Sequence, residues 1–379
     1  MKIKYYILLF GFTALISFPI INGILQILPD TVQSENRKIK PFPAIDTCKI
    51  EAAAEIAEKY LTDHFSLRNR IIKLYNKLNI FVFKSSPISI KAIVGKKGWY
   101  FMAGEEIKTY NGTSLFTEAE LEEFKTEMFR RKKVIEQNNG HFLFAIVPNK
   151  SNIYPEFMPS HIAKANNLGY GKQLLEYLQK NGLPVIDLYS PLVTAKRERE
   201  IYYQTDNHWN HYGAFIATNV ILKEFKKFNS NVNPLDLNLY KLKTVIEKPG
   251  NIAKMFSLEN ERTETNYIPA RQNGFISQEK KQNKYKVTKG FAYPQDYEFT
   301  RYTTNDSLPT VLIIRDSFGA KPFPYISEQC KKCVAIFDAW HYGLNEDIIK
   351  AEKPDIVLLL VIESNLKNIM KYMKLEDPK

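Results

Sequence analysis

One stretch of the chain decides the fold: residues 311–319, with the sequence VLIIRDSFG. Its continuous apolar run is typical of a strand that is covered on both faces in a parallel sheet, and it ends abruptly at Asp316-Ser317. We therefore expect Ser317 at the carboxyl edge of the sheet, where α/β proteins bind their ligands. A helical turn beginning there would make the amide of Ser317 an oxyanion donor. The other interpretation is that Asp316-Ser317 only caps a helix.

Strands and helices alternate on both sides of this stretch. Thr117 and Glu120 have the spacing of a capping box, and Gly140 marks the end of the helix that they begin. The alternation predicts an α/β sandwich in which a parallel sheet lies between layers of helices. Further strands are predicted at 142–147, 184–188 and 355–361, and further helices at 172–180 and 211–228, whereas residues 230–308 are predicted to form long loops with short strands.

A second chemical signal precedes the serine by about a hundred residues in the sequence TDNHWNH at 205–211. Asp206 and His208 are two residues apart, so in an extended segment their side chains point to the same side. The carboxylate can then hold one ring nitrogen while the other faces outward, which orients a catalytic base. Two alternatives stay open: a structural histidine, and a metal site of Asp206, His208 and His211. Because histidines at i and i+3 with one acid need a distant further ligand, we predict no metal and no cofactor.

Residues 5–28 contain no charged side chain, and Lys2 and Lys4 precede them. About 24 residues at ~1.5 Å each can cross a ~30 Å hydrocarbon core. The flanking lysines place the N-terminus in the cytoplasm and the rest of the chain outside. We favour an uncleaved anchor over a cleaved signal peptide because the apolar run is long and no small-x-small cleavage motif is evident. A buried core helix is disfavoured because a charged, proline-containing linker follows.

The predicted domains are an anchor at 1–28, a linker with a helical lead-in at 29–90, and a catalytic domain at 91–379. Within the lead-in, helices are predicted at 51–61 and 69–83. The catalytic domain is predicted to begin with a hairpin, in which 92–95 and 99–101 flank Lys96-Lys97-Gly98.

Charge and cysteine content narrow the function classes. The 379 residues carry a formal net charge of +12, which indicates either a solvated basic face or attraction to an anionic polymer or membrane surface. Nucleic-acid binding is not expected, because its sequence signatures are missing and the domain is predicted to lie outside the cytoplasm. The chain has three cysteines, Cys48, Cys330 and Cys333. The last two have the spacing of a zinc half-site without a second half, so a disulfide and two free thiols both stay open.

Four motifs, taken in order, resemble those of the alginate O-acetyltransferase group, the AlgJ/AlgX-like SGNH proteins. They are VGKKGWYF at 94–101, VPNKSNIY at 147–154, TDNHWN at 205–210 and RDSFG at 315–319. Flanking matches are Asn36-Arg37 with Pro41-Phe42-Pro43, Asp63-His64-Phe65 with Arg68, and GNIAKM at 250–255. The resemblance covers nearly the whole chain beyond residue 35.

This resemblance implies an SGNH-hydrolase-like three-layer sandwich in permuted motif order, with the Asp-x-His ahead of the serine. It implies that Ser317 is the nucleophile, His208 the base and Asp206 its orienting acid. Where SGNH enzymes often have a glycine before Asp-Ser, this chain has Arg315. The oxyanion donors are therefore less defined, and the candidates for oxyanion or substrate binding are Arg315, Asn149, Lys150 and Tyr154.

The leading functional interpretation is an O-acetyltransferase that passes an acetyl group through an acetyl-serine to hydroxyls of an extracytoplasmic polysaccharide. The resemblance implies a multi-spanning membrane acyltransferase as the acetyl donor. One alternative is a carbohydrate or lipid esterase, which uses the same triad with water as acceptor. Another is a non-catalytic polysaccharide-binding or assembly protein on the same fold.

Overall fold

The computed structural model describes residues 2–29, 58, 65–280, 284–287, 291–338 and 343–373. Apart from residue 58, the predicted helix at 51–61 lies outside these described residues, as do most of the linker, Cys48 and the Asp63-His64 motif. The strands are β1 (Ala92–Val94), β2 (Tyr100–Met102), β3 (His141–Val147), β4 (Val185–Asp187), β5 (Tyr240–Glu247), β6 (Glu264–Arg271), β7 (Gln278–Lys280), β8 (Glu298–Tyr302), β9 (Thr310–Arg315), β10 (Lys332–Phe337) and β11 (Ile356–Ile362).

Helices occupy the connections between these strands. They are α1 (Lys2–Leu25), α2 (Arg68–Lys77), α3 (Glu105–Asn111), α4 (Glu118–Gln137), α5 (Lys150–Ile153), α6 (Tyr170–Lys180), α7 (Tyr189–Ala195), α8 (His211–Phe225), α9 (Asn251–Met255), α10 (Phe323–Ser327), α11 (Glu346–Glu352) and α12 (Leu366–Met373). Short 3-10 turns include Lys96–Gly98 and Ser317–Ala320, and a π-helical turn, Leu78–Val82, continues α2.

Seven of the described strands form the central sheet, in the order β4-β3-β11-β9-β10-β8-β7. The five strands from β4 to β10 run parallel, and β9 lies between β10 and β11 with Leu312 opposite Val334 and Val357. Strand β8 extends the sheet by pairing antiparallel with β10, and β7 pairs antiparallel with β8 at the edge. The predicted α/β class with a mostly parallel sheet is confirmed, whereas its antiparallel edge and β10 were not predicted.

Both faces of the sheet are buried, because successive residues of a strand point to opposite sides. In β3, Leu143, Ala145 and Val147 join a core formed with α7, α8 and α10. The intervening Phe142, Phe144 and Ile146 join a second core formed with α4, α6, α11 and α12. This is the three-layer arrangement that the continuous apolar strands indicate.

The N-terminal helix differs from every core helix. Ile3–Leu25 is long and apolar enough to cross a membrane, and 6% of its most apolar window is buried. The rejected alternative of a buried core helix is therefore wrong for this segment. An anchor and a signal sequence both remain compatible with it.

Local predictions were mostly confirmed, with two differences, at the ends of helices α4 and α8. The capping box of Thr117 and Glu120 is present, but Asn139 with φ 61° is the left-handed residue after α4. Gly140 is needed instead because a side chain there would approach the carbonyl of Pro354. Helix α8 ends at Phe225 rather than at residue 228. Cys330 and Cys333 are buried free thiols.

Candidate active site

Ser317 begins the 3-10 turn that follows β9, at the carboxyl edge of the sheet. Asp316 holds this turn in place: its side chain accepts hydrogen bonds from the amide of Phe318 at 2.9 Å and from the amide of Ile362 on β11 at 2.7 Å. Asp316 is buried, whereas Ser317 is exposed. Asp316 thus caps the turn, while its neighbour Ser317 is exposed. The two interpretations of Asp316-Ser317, as a cap and as a site for a reactive serine, are therefore compatible. The amide of Ser317 stays the predicted oxyanion donor.

His208 reaches the serine from the loop between α7 and α8. Its Nε2 lies 2.7 Å from Oγ of Ser317, and its Nδ1 lies 2.6 Å from Oδ1 of Asp206. The same carboxylate oxygen accepts the amide N–H of His208 at 3.0 Å, which fixes the Asp-x-His turn locally. The three side chains thus form one hydrogen-bonded chain, with the geometry required of a nucleophile, a base and an orienting acid.

Further contacts lock the two loops together. The indole Nε1 of Trp209 donates to the carbonyl of Phe318 at 3.0 Å. The ring of Phe318 packs against both His208 and Trp209, with ring centroids 4.6 and 5.7 Å apart. Residues that are 109 positions apart in the chain are therefore held in register by one hydrogen bond and two aromatic contacts.

The second oxygen of Asp206 is held by another loop. Oδ2 accepts the amide of Asn251, the first residue of α9, at 2.8 Å. Burial by itself raises the pKa of Asp206, but the hydrogen bond and charge of His208 and the amide of Asn251 outweigh it and leave the pKa well below its usual range. Gly250 is required beside it, because a side chain there would overlap that of Asp206. Asp206 is therefore an ionised partner for His208.

Lys150 supports the same loop from beneath. Its buried ammonium donates to the carbonyls of Asp206 at 2.6 Å and of Tyr203 and Gln204 at 3.2 Å. Burial lowers the pKa of Lys150 to about 8, against the opposing charges of Glu106 and Asp206. The side chain points into the protein, so it positions the Asp-x-His loop.

The other three candidates for substrate binding are also buried. Asn149 donates through its amide to Glu363 and through Nδ2 to Thr109 at 2.7 Å. Tyr154 accepts the amide of Ile201 through its hydroxyl oxygen at 2.9 Å. Contact of these side chains with substrate stays a prediction, and their buried partners favour a structural role.

Arg315 lies under the serine turn. Its guanidinium donates to the carbonyls of Asp316 and Asp296 and packs over the ring of Phe299 at 4.2 Å. Burial lowers its pKa to about 10. Its aliphatic stem fills the space beside Gly319, where any side chain would overlap it. Its position indicates support of the turn, and an oxyanion role for Arg315 stays a prediction.

A functional candidate that sequence reasoning missed is Lys321, directly after the serine turn. Its Nζ lies 5.0 Å from the ring centre of Tyr203, and burial lowers its pKa. It lines a cavity of about 960 Å³ that also borders Asp206. A lone lysine after Asp-Ser has no spacing signal, so only the folded arrangement identifies it.

His211 does not join the site. It begins α8, as expected, and burial together with the charge of Lys321 lowers its pKa to about 4. Within the described part of the chain, no three His, Cys, Asp or Glu side chains are grouped as metal ligands would be.

The parallel sheet, its helical layers and the order of the motifs define an SGNH-hydrolase-like α/β protein. The family model described as the SGNH hydrolase-like domain of the acetyltransferase AlgX matches residues 92–290, which is just over half of the chain. The chain belongs to this family. The match includes Asp206 and His208 and ends before Ser317.

Curated relatives agree with this membership, and a solved structure shares the fold. A protein named probable alginate O-acetylase AlgJ from Pseudomonas syringae pv. tomato is 25% identical over 161 residues, 42% of this chain and 39% of that protein. Its namesake from Azotobacter vinelandii is 23% identical over 208 residues, 53% of this chain and 50% of that protein. The matches thus span half or less of these relatives. PatB1 of Bacillus cereus, solved with a sulfonyl adduct, shares the fold with a TM-score of 0.52 and 20% identity, covering 73% of this chain and 98% of PatB1.

Proposed function

We propose that this chain is an O-acetyltransferase that carries an acetyl group on Ser317 and passes it to hydroxyl groups of a polysaccharide outside the cytoplasm. The observation that carries the proposal is the hydrogen-bonded chain from Asp206 through His208 to the exposed hydroxyl of Ser317. Family membership supports acetyl transfer, and the names of the AlgJ relatives support alginate as the first acceptor to test.

The first half-reaction loads the serine. Nε2 of His208 takes the proton of the Ser317 hydroxyl as Oγ forms a bond to the carbonyl carbon of the acetyl donor. The tetrahedral intermediate collapses, the bond to the leaving group breaks, and His208 returns the proton to that group. The carboxylate of Asp206 stabilises the imidazolium between these steps, which its lowered pKa allows.

The second half-reaction runs the same path with a new nucleophile. A sugar hydroxyl gives its proton to His208 and attacks the acetyl carbon, and the bond from that carbon to Oγ breaks as Oγ recovers the proton. Because water can attack in the same way, the outcome depends on which hydroxyl is held ~3 Å from the acyl carbon.

The cavity beside Asp206 supports a carbohydrate acceptor. Its lining includes five basic side chains and three carboxylates. The basic ones are Arg70, Lys73, Lys248, Lys254 and Lys321. A cleft with this balance attracts an acidic polymer. We propose that the polysaccharide reaches Ser317 along this cavity and contacts Lys321 on the way.

The proposed location of the catalytic domain follows from the proposed membrane anchor, α1. We propose that α1 spans the membrane uncleaved, that residues 29–90 connect it, and that residues 91–379 form the catalytic domain outside. Lys2 and Lys4 before the span support this orientation. Tethering raises the effective concentration of the site near a polymer that emerges there. We also propose a multi-spanning membrane acyltransferase as the acetyl donor.

The test uses the purified full chain in detergent with an activated acetyl ester, with and without alginate and neutral oligosaccharides. We expect an acetyl group on the peptide that contains Ser317, trapped by acid, and acetylated sugar detected by mass spectrometry. Both should be missing in Ser317→Ala and present in Ser307→Ala, a change at an exposed serine outside the triad. Free acetate as the only product with every acceptor would overturn transfer in favour of the esterase. No acetyl-enzyme and no turnover would favour a binding protein.

A further inference from the structure

Helix α2 and the π-helical turn after it expose their apolar face and bury polar side chains against the domain. The large apolar side chains recur at helical spacing on one face and point away from the protein. They are Ile71, Leu74, Tyr75, Leu78, Phe81 and Val82. Leu74 is 58% exposed and Val82 is 62% exposed, although a helix of a water-soluble domain turns such a stripe inward.

The polar face of the same helix holds it to the domain. Asn76 is buried, and its Nδ2 donates to the carbonyl of Phe256 at 2.8 Å. Lys73 and Lys77 both pair with Glu261 at 2.6 Å. On the same inward side, Ile80 packs in a small apolar core with Tyr100 and Phe256. These contacts determine which way the helix faces, so its apolar stripe is presented outward by the fold.

The start of α2 also touches the exit end of α1. Nδ2 of Asn22, a buried residue in the last turns of α1, donates to Oγ of Ser66 at 2.7 Å. Nε of Arg70 donates to the carbonyl of Pro29 at 2.9 Å. The apolar stripe therefore begins beside the C-terminal end of α1, the end at which the proposed anchor would leave the hydrocarbon core. An amphipathic helix at that height lies in the plane of the membrane surface.

A cationic cleft of about 850 Å³ adjoins the end of this stripe. Phe81 and Lys84 line it together with Lys96 and Lys97 of the hairpin turn and Arg262. No carboxylate is found among the described residues that line it. Lysines beside an apolar, aromatic-containing helix face match the phosphates of anionic lipids. This charge, together with the continuity with the anchor, favours a lipid surface over a protein partner.

We propose that the apolar face of residues 71–82 and the adjoining cleft form a second membrane contact, which docks the domain on the outer surface of a bilayer containing anionic phospholipids. The proposal rests on the proposed anchor and does not depend on acetyl transfer. The opposite side of α2 lines the cavity beside Asp206. Docking of the apolar face would therefore hold the active site at a set height above the bilayer.

The test places one environment-sensitive fluorophore on the full chain, reconstituted in vesicles of phosphatidylcholine and phosphatidylglycerol. The background carries Cys48→Ser, since Cys330 and Cys333 are buried. Labels at Leu74→Cys and Val82→Cys are compared with Glu176→Cys on α6, whose side chain is 57% exposed, and with Leu15→Cys inside α1. Quenching is measured with lipids that carry bromine on their acyl chains.

We expect several-fold stronger quenching at 74 and 82 than at 176, and strong quenching at 15. Quenching at 15 alone would overturn the docking proposal while leaving the anchor intact. A blue-shifted emission at 74 and 82 without quenching by lipid would also overturn it, because another protein surface would then cover the face. Missing quenching at 15 would overturn the anchor and the docking proposal with it.

The cleft is tested separately with Lys96→Glu combined with Lys97→Glu, two exposed lysines. Quenching at 82 should fall by about half or more, as it should when phosphatidylcholine replaces phosphatidylglycerol. The matched control is Lys172→Glu combined with Lys132→Glu on α6 and α4, which should change nothing. If quenching at 82 were the same in both double variants and with both lipids, the cleft would not contribute to docking and would be removed from the proposal.

Discussion

The edge of the sheet that carries the proposed active site and helix α2 use their side chains in opposite ways. At this edge, Lys150 and Asp206 are buried and hydrogen-bonded, whereas Ser317 is exposed. On α2, Asn76 is buried against the domain while Leu74 faces outward. Both regions bury hydrogen-bonded polar groups, but only α2 turns a stripe of large apolar side chains outward.

This difference reflects two different roles, a fixed geometry in one region and a preferred location in the other. Buried polar groups are costly unless every partner is in place, so they select one geometry. That suits a loop that holds the proposed base, His208, 2.7 Å from the proposed nucleophile, Ser317. An outward apolar stripe selects no geometry within the domain, but it favours one location, a surface from which water is excluded. The predictions that follow test how strictly each region depends on its own set of contacts.

The largest effect is expected at the nucleophile. Ser317→Ala should lower the turnover of an activated acetyl ester by about 10⁴-fold or more, because it removes the only atom that can carry the acyl group. The rate of ester cleavage by the full chain in detergent measures this. Wild-type turnover in Ser317→Ala would disprove the triad.

His208→Ala should lose about as much activity as Ser317→Ala, and the double variant should lose no more, since the two side chains act as a unit. Asp206→Asn should be roughly ten- to a hundred-fold less damaging, because it disturbs the tautomer and orientation of His208 but keeps the base. Additive losses in the double variant would show that the two side chains act independently, contrary to the 2.7 Å contact.

The contrast between the two regions is sharpest for a lysine in each. Lys150→Met should cost about 3–5 kcal/mol of unfolding free energy, because it leaves three carbonyls and the buried carboxylate of Glu106 without their cation. Lys73→Met on α2 should cost about 0–1 kcal/mol, as expected for a partly exposed ion pair. Urea denaturation of both variants in detergent compares them. Equal costs would contradict the distinction between the regions.

Trp209→Phe should have a smaller effect. It removes the hydrogen bond to the carbonyl of Phe318 but keeps the aromatic packing, so we expect a loss of about 1 kcal/mol in stability. Because this bond ties the two catalytic loops, kcat should fall more than KM rises. A change in KM alone would show that Trp209 contacts substrate instead.

The last effect concerns acid stability. The folded pKa of Asp206 is lowered, so its ionised form stabilises the protein above the unfolded pKa of about 3.9, and that contribution is lost as pH falls through the folded pKa. Asp206→Asn should therefore lose less stability than the wild type between about pH 5 and about pH 2. If both proteins lost the same unfolding free energy over this pH range, the ionised carboxylate of Asp206 would not stabilise the fold.

Much of the site was predictable because short-range patterns carry it. The apolar run at 311–314, with Asp-Ser shortly after it, predicts that the serine lies at a strand end, and the two-residue spacing of Asp206 and His208 predicts that they share one side. The inward direction of Lys150 and Tyr154 was not predictable, because a motif shows residue types but not the direction in which their side chains point. Lys321 was missed for the same reason.

By itself, the sequence determined the parallel sheet, the order of the motifs and the apolar N-terminal helix, since each follows from local periodicity and residue type. Only the tertiary structure decided that His208 meets Ser317 across 109 residues, because β9 and the loop before α8 are brought together by packing that no local pattern encodes. The same is true of α2. Its periodicity predicts two faces, but the contacts of Asn76 and Glu261 decided that the apolar face points away from the domain.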